Sequence, residues 1–230
     1  MLIIADVRMP KAAKNRLETL GEILWMETQP STYFAIAAHP DIFYCQIGAT
    51  IVAAPNAPRR ITEKLIDNNI SLITGCHEIG SQHPETTFYN AVFTKSLFIH
   101  NTKLSDDALH SFTASREIVF TSQGYTRCNL IPLTETSFLT SDRNIEKALL
   151  KRNMETLFVE PKEILLPGVN HGFIGGCCGI FDKKLIVIGS FDRHSQGKMI
   201  RYFIENQEIE IIELYEGALW DGGGILFFLE

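Results

Sequence analysis

The residues of this chain with chemistry to offer are few and widely spaced. Five are cysteines, Cys45, Cys76, Cys128, Cys177 and Cys178. The others are polar residues in apolar or glycine-rich runs: Asp41 in HPDIFYCQIG, Asn90 in YNAVFTK, Arg127 and Asn129 in GYTRCNL, His171 in HGFIGGCCG, and Asp221 in WDGGGILFF. A thiol serves as nucleophile or metal ligand once deprotonated, an imidazole moves protons near neutral pH, and a carboxylate holds cations. An odd cysteine count in a 230-residue chain does not describe a disulfide framework. Cys177 and Cys178 are adjacent, so an extended strand turns them to opposite faces and they cannot chelate one metal together. With no CxxC pair, no HExxH and no second histidine at helical spacing, neither a metal nor a cofactor is expected.

Each candidate has two readings. Cys177 is a thiol able to reach a central channel, or one of a pair of small buried hydrophobes. His171 precedes glycines that let a backbone approach a ligand, or is a loop histidine satisfied locally. Gly222, Gly223 and Gly224 have the same ligand role, or serve a bulge where strands crowd. In an extended strand Arg127 and Asn129 project to one side, opposite Cys128, where they suit a carboxylate-bearing ligand or pair with a surface acid. Asp41 is an anion in the channel or a loop cap. His194, beside Asp192 and Arg193, reads as a solvated cap at a helix entrance.

The elements that position these residues repeat. Helical periodicity covers 11–20, 59–69, 105–115, 142–153 and 195–206, and a β-rich run follows each, at 23–27, 71–75, 117–121, 156–160 and 208–214. Pro10 and Pro58 suit a first turn, and Ser105 and either Ser141 or Asp142 suit N-caps. Each run is followed by a polar loop and paired apolar segments, a hairpin signature. The pairs are IFYCQIG with TIVAAPN, NAVFTK with SLFIHN, CNLIPLTE with SFLTS, and GCCGIF with LIVIGS. A fifth, GGILFFLE, has no partner after it, whereas MLIIADV at the N-terminus is a strand without a mate. Cys45, Asn90, Asn129, Gly176 and Gly223 mark a period near one fifth of the 230 residues.

The pattern predicts an α/β fold of five-fold pseudosymmetry, a propeller of strand-strand-helix-strand units closed by pairing of the N-terminal and C-terminal strands. Closure hides the edge and apolar face that an open array leaves bare. The expected organisation is one domain over 1–230, with units near 7–55, 56–102, 103–141, 142–191, and 192–230 plus 1–6. A doubly wound sheet is the alternative, but it needs one parallel strand per helix and no hairpins, and no GxGxxG or GxxxxGK[ST] is present. Net charge is −6 with scattered basic residues, which removes the usual basis of nucleic-acid affinity. No run approaches the ~18 apolar residues of a membrane span, so no membrane partner is expected. The N-terminus lacks the layout of a signal peptide, which makes cytoplasm the default compartment.

Five such units resemble the pentein fold of the guanidino-group-modifying enzymes: arginine deiminase, dimethylarginine dimethylaminohydrolase, agmatine deiminase and the amidinotransferases. The resemblance spans essentially the whole chain and rests on HPDIFYCQIG, YNAVFTK, GYTRCNL, HGFIGGCCG and WDGGGILFF in units one to five. It implies a fifth-unit cysteine attacking a guanidinium carbon, a histidine moving protons, and acidic residues holding the cation. Here the fifth unit keeps Asp221 and Gly222 but has no thiol after them. Gln46 and Ile47 stand where the first unit's acidic pair is expected, Asn90 where the second has an aspartate, and Gly124 or Tyr125 near the place of the third unit's histidine. The nearest available imidazole is His171.

These departures predict an atypical branch that has lost the usual cysteine chemistry and binds a small polar, amino-acid-like or guanidino-like metabolite in its axial channel. Asp41, Asn90, Arg127, Asn129, His171 and Asp221 form the expected lining, and Cys177 and His171 are the candidates for any catalysis. A non-catalytic scaffold or sensor acting through its outer surface is one alternative. A divergent amidinohydrolase with a replaced catalytic set is the other.

Overall fold

Paired apolar residues one helical turn apart build the helices of this chain, and apolar runs broken by tight turns build its hairpins. A computed structural model describes residues 1–228. Its first third contains β1 (Leu2–Asp6), α1 (Lys11–Leu17), β2 (Glu22–Met26), α2 (Pro40–Phe43), β3 (Tyr44–Ile47), β4 (Thr50–Ala53), α3 (Arg59–Asp67) and β5 (Ser71–Thr74). The middle contains β6 (Val92–Phe93), β7 (Leu97–His100), α4 (Asp107–His110), β8 (Glu117–Phe120), α5 (Thr126–Asn129), β9 (Leu130–Pro132), β10 (Ser137–Thr140), α6 (Arg143–Leu150) and β11 (Glu155–Phe158). The remainder contains β12 (Cys178–Phe181), β13 (Lys184–Val187), α7 (Gly197–Glu205), β14 (Glu210–Glu213) and β15 (Leu226–Phe228). The final Leu229 and Glu230 of the GGILFFLE run lie outside the described residues.

The strands form five three-stranded sheets, β3-β4-β5, β6-β7-β8, β9-β10-β11, β12-β13-β14 and β15-β1-β2, here called blades one to five. In each, an inner strand pairs antiparallel with a middle strand, which pairs parallel with an outer one. The fold is the five-bladed α/β propeller expected, and its closure is explicit. β1 is the middle strand of blade five, with Leu2, Ile3 and Ile4 opposite Phe228, Phe227 and Leu226 on one side and β2 in parallel register on the other.

The blades divide the chain differently from units beginning at 7, 56, 103, 142 and 192. Those boundaries separate each hairpin from its parallel strand, whereas backbone hydrogen bonds join β4 to β5, β7 to β8, β10 to β11 and β13 to β14. Four helices bury an i, i+4 pair: Ala13 and Leu17, Ile61 and Leu65, Ile145 and Leu149, Ile200 and Ile204. After α3 and α6 the chain turns through Asn69 and Asn153, both at φ 58°, a left-handed conformation asparagine tolerates.

Three local expectations are corrected. The helix over 105–115 is a single turn, α4, because Ser111 and Thr113 hydroxyls donate to carbonyls three residues back and compete with the helical ladder. Its cap is Asp106, accepting from the Ala108 amide, while Ser105 contacts His100. Asp142, not Ser141, caps α6. Pro10 and Pro58 occupy the cap positions of α1 and α3 rather than their first turns. Among the described residues, no helix is long and apolar enough to cross a membrane.

The most consequential correction is at the start of the inner strands. Residues 126–129 form a helical turn, α5, rather than extended chain, and α2 and a 3-10 turn at Gly175–Cys177 do the same before β3 and β12. The alternation that set Arg127 and Asn129 together and Cys128 opposite does not apply there.

Because β1 is paired on both edges and its side chains are buried, deleting residues 1–6 will abolish the cooperative melting transition or lower it drastically. Ile4→Ala will cost about 2–5 kcal/mol, while Ile66→Ala at an exposed site will stay within about 0.5 kcal/mol. Denaturant titration checks both, and wild-type-like melting of the deletion would refute the ring closure.

Candidate functional site

The turns before the inner strands carry polar residues to the axis, where a chain of bonds links the blades. The Asp41 amide donates to the Gly223 carbonyl (3.1 Å), and Asn90 Nδ2 donates to the Asp41 carbonyl (3.0 Å). The Arg127 amide donates to the Asn90 carbonyl (3.0 Å), and the Cys128 amide to Asn90 Oδ1 (3.0 Å). The Arg127 guanidinium donates to the carbonyls of Gly175 (2.6 Å) and Cys178 (2.9 Å). Gly222 and Gly224 amides donate to the Gly176 carbonyl (3.0 and 2.8 Å), returning to blade five.

This ring surrounds a tight cluster. Cys128 Sγ donates to Asp41 Oδ2 at 3.0 Å and receives Asn90 Nδ2 at 3.2 Å. Asp221 accepts the Phe173 amide at Oδ2 (2.9 Å) and the Gly223 amide at Oδ1 (3.0 Å). His39 is fully buried, with Nε2 3.9 Å from Asp6 Oδ2 and Nδ1 3.9 Å from Asp221 Oδ1. Two glycines make this crowding feasible: Gly223, at φ 66°, lies against His39, and a side chain on Gly176 would collide with the Asp221 carboxylate. These close approaches answer the question of what the glycines serve.

Among the described residues, five buried side-chain polar atoms have no hydrogen-bond partner, and three of them are His39 Nδ1, His39 Nε2 and Asp41 Oδ1. Buried polar groups are normally satisfied. His100 shows the ordinary case, its Nδ1 meeting Ser105 Oγ and its Nε2 the Gly124 carbonyl. The unsatisfied set lies at and beneath the floor of a pocket of about 280 Å³, whose floor is His39, Cys128 and Asp221. Its walls come from the 33–36 and 166–173 segments and Tyr125.

Burial controls the protonation of the floor. It pushes Asp41 up to about 6, against the pull of Arg127, and Asp221 up to about 7, with the negative charge of Asp41 adding to the shift. The same burial, then the Arg8 charge, pushes His39 down to about 3 despite its acidic neighbours, leaving it neutral at pH 7. The Cys128 thiol is raised well above its usual value by burial and by Asp41. Asp6, also raised by burial, is paired with Arg8 at 2.6 Å.

The expected site residues separate into groups. Asp221 and His171 line the pocket, with Asp41 beneath Cys128. Asn90 positions Cys128 from the axis, and Asn129 Nδ2 donates to the Tyr125 carbonyl. Arg127 spans to blade four and lines a separate hollow with Cys45 and Gln46. Cys177 is fully buried in an apolar cluster and donates to the Phe173 carbonyl at 3.3 Å. His194 Nε2 meets the Glu160 carbonyl near the entrance of α7. Three important residues were not singled out: His39, Cys128 and Asp6. His39 is two residues before Asp41 in HPDIFYCQIG, and its position before a proline-initiated turn was the available signal.

His39, Asp41 and Cys128 each offer a ligand atom within 4.8 Å of the other two. This nitrogen, oxygen and sulfur set is one zinc accepts, assembled from blades one and three and so invisible to sequence spacing. The Cys128 thiol is directed at Asp41 Oδ2, and the adjoining pocket of about 280 Å³ is several times the ~30 Å³ share of one water.

The sequence model of a family described as "Family of unknown function (DUF6873)" matches residues 4–226. No curated protein matches by sequence. Among solved structures, DDAH from Pseudomonas aeruginosa, a mutant complexed with citrulline, superposes with TM-score 0.53 at 11% identity over 92% of this chain and 91% of that one. Agmatine deiminase from C. jejuni gives 0.57 at 9% identity over 93% and 87%. The inosamine-phosphate amidinotransferase from Streptomyces griseus gives 0.53 at 12% over 91% and 79%. At these identities the likeness establishes the fold, which is the pentein fold.

Stability will carry the signature of this floor. A carboxyl whose folded pKa is raised stabilises the fold below its unfolded value, and that contribution is lost as pH rises through the folded value. Asp41 and Asp221 therefore lower stability as pH climbs through about 6 and about 7. His39 acts oppositely, but only as pH falls from 6.5 toward about 3. Thermal melts should show Tm declining from pH 6.5 to 8. Asp41→Asn keeps an acceptor for Cys128, melts at or above wild type at pH 8, and flattens the decline.

Proposed function

Since this chain belongs to the DUF6873 family of unknown function and carries the pentein fold, we propose that its axial pocket binds a small organic cation of the guanidine or amidine type. The observation that supports this reading is a floor that holds the raised-pKa Asp221 beside the unpartnered His39 nitrogens, with Asp41 and its unpartnered Oδ1 beneath, in a pocket lined by no lysine or arginine. A guanidinium is planar and multiply donating, and a carboxylate accepts it in a bidentate, charge-assisted way. Asp221 already accepts two amides but keeps lone pairs for a ligand. His39, neutral at pH 7, supplies a further acceptor.

Binding a cation requires Asp221 to be ionised, so affinity should rise between pH 5 and 8, level off above, and be accompanied by proton release near neutrality. Calorimetry with guanidinium and simple alkylguanidines at about pH 8 tests this. Asp221→Asn should abolish binding, and the well-folded Asp41→Asn should weaken it at least tenfold. Pocket affinity unchanged in both variants, or a zinc-induced stabilisation exceeding that of every guanidine, would sink the reading.

A second reading, a divergent amidinohydrolase with a replaced catalytic set, is favoured by the placement of Cys128. Its thiol lies on the pocket floor with its proton directed to Asp41. Proton transfer to Asp41, promoted by a bound cation, would create the thiolate, which would attack the guanidinium carbon. The carbon–nitrogen bond would then break as the leaving nitrogen takes the proton from Asp41, giving a thiouronium. Water, giving one proton to His39, would displace the sulfur; of that water's two protons one restores the Cys128 thiol and the other passes to the released ammonia, so that guanidinium and water become a urea and ammonium. Cys128→Ser should keep cation affinity and remove all ammonia release, while turnover by that variant would eliminate Cys128 as the nucleophile.

A further inference from the structure

The walls above the floor narrow the ligand further. They are formed by Tyr33, Ala35, Ile36, Leu166 and Val169, with Tyr125 beside Tyr33. Among these wall residues Val169 is 48% exposed, and the chain neighbours Phe34 and Leu165 leave further apolar surface open to solvent, at 64% and 53%. Such exposed apolar surface around a concave site is what a ligand body covers.

No wall residue carries a positive charge to hold a carboxylate: the donors of the wall are the Tyr33 and Tyr125 hydroxyls, which lie 3.3 Å apart, and that of Tyr125 also meets the Thr86 hydroxyl. The two arginines whose charges act on the floor are both engaged elsewhere. Arg8 gives Nε and Nη2 to Asp6, Nη1 to the Phe34 carbonyl and Nη2 also to the Ala35 carbonyl. Arg127 gives both terminal nitrogens to carbonyls of blade four. On the rim, Asn170 and His171 are the polar residues, and His171 Nδ1 faces its neighbour's carbonyl at 3.0 Å. A ligand carboxylate would lose its hydration against apolar walls, with no counter-charge and with Asp221 and Asp41 repelling it.

We propose that the pocket selects a cationic guanidine or amidine head on an apolar body without a carboxylate, and so excludes free amino acids such as arginine. This rests on the cation reading above and takes the guanidino-like over the amino-acid-like of the two expected ligand types. Each methylene that enters the apolar walls should tighten binding by about fourfold, the equivalent of the usual burial gain.

The test is calorimetry at about pH 8 on wild-type protein with methyl-, butyl- and hexylguanidine, benzamidine and arginine. Affinity should climb along the alkyl series, and arginine should bind at least tenfold more weakly than butylguanidine. In Val169→Arg, a change at an exposed wall position, arginine should gain at least fivefold while butylguanidine does not. Arginine binding as tightly as butylguanidine, or a flat alkyl series, would overturn the selectivity and leave the cation reading standing. Failure of every guanidine and amidine to bind would overturn both.

Discussion

Around the axis, each blade is fastened to the next by a hydrogen bond from the turn that precedes an inner strand, and the site depends on that ring. The same bonds that close the propeller fix Asp41 beneath Cys128 and hold Cys128 with Asn90. Arg127 carries the chain of contacts across to blade four, and the glycines of blade five return it to Gly176. Backbone groups there would otherwise be buried without partners. Closure and site assembly are thus one set of interactions, and a change that loosens the ring moves the floor.

The floor itself opposes folding. Two carboxyls are buried where ionisation is unfavourable, and an imidazole is held without a hydrogen bond. A structure that needed only stability would replace them by apolar side chains of similar size. Asp6 shows the alternative within the same cluster, since Arg8 grips it from two residues away. Of the carboxyls lacking such a partner, Asp221 opens on a cavity and Asp41 lies beneath its floor, where a bound cation would supply the missing charge. Perturbed carboxyls at a concave site are the physical ground of the cation reading proposed above.

The fold was legible in the sequence because it is written five times. Hairpin pairs, i, i+4 apolar pairs and following β runs recur with enough regularity that MLIIADV could be matched to the unpaired C-terminal strand. The site was legible only in part. Asp41, Asn90, His171 and Asp221 stand in quoted motifs, but their relation depends on one-turn helices that local periodicity does not reveal. At Cys128 an extended reading and a helical one differ by about a quarter turn of side-chain direction relative to Arg127, enough to put the thiol on the wrong face. His39 was hidden for another reason: its neighbours Asp6 and Asp221 come from opposite ends of the chain and meet only when the ring closes.

Pseudosymmetry gives the cluster a further meaning. In a five-fold ring the residue before each inner strand approaches the same axial space, so a thiol, an imidazole or a carboxylate need not come from a particular blade. The resemblance to guanidino-modifying enzymes implies a thiol from the fifth unit, and blade five here offers glycines and Asp221 instead. Blade three supplies a thiol to the floor, blade one an imidazole and a carboxyl, and blade five a second carboxyl. A thiol, an imidazole and two carboxyls thus meet at the axis, at addresses other than those the resemblance implies. Motif-by-motif comparison therefore reports loss at each position even where the axis holds a comparable set. In a closed repeat fold, absence at one blade is informative only after the equivalent position in every other blade has been inspected, and in this chain Cys128 is the residue such inspection turns up.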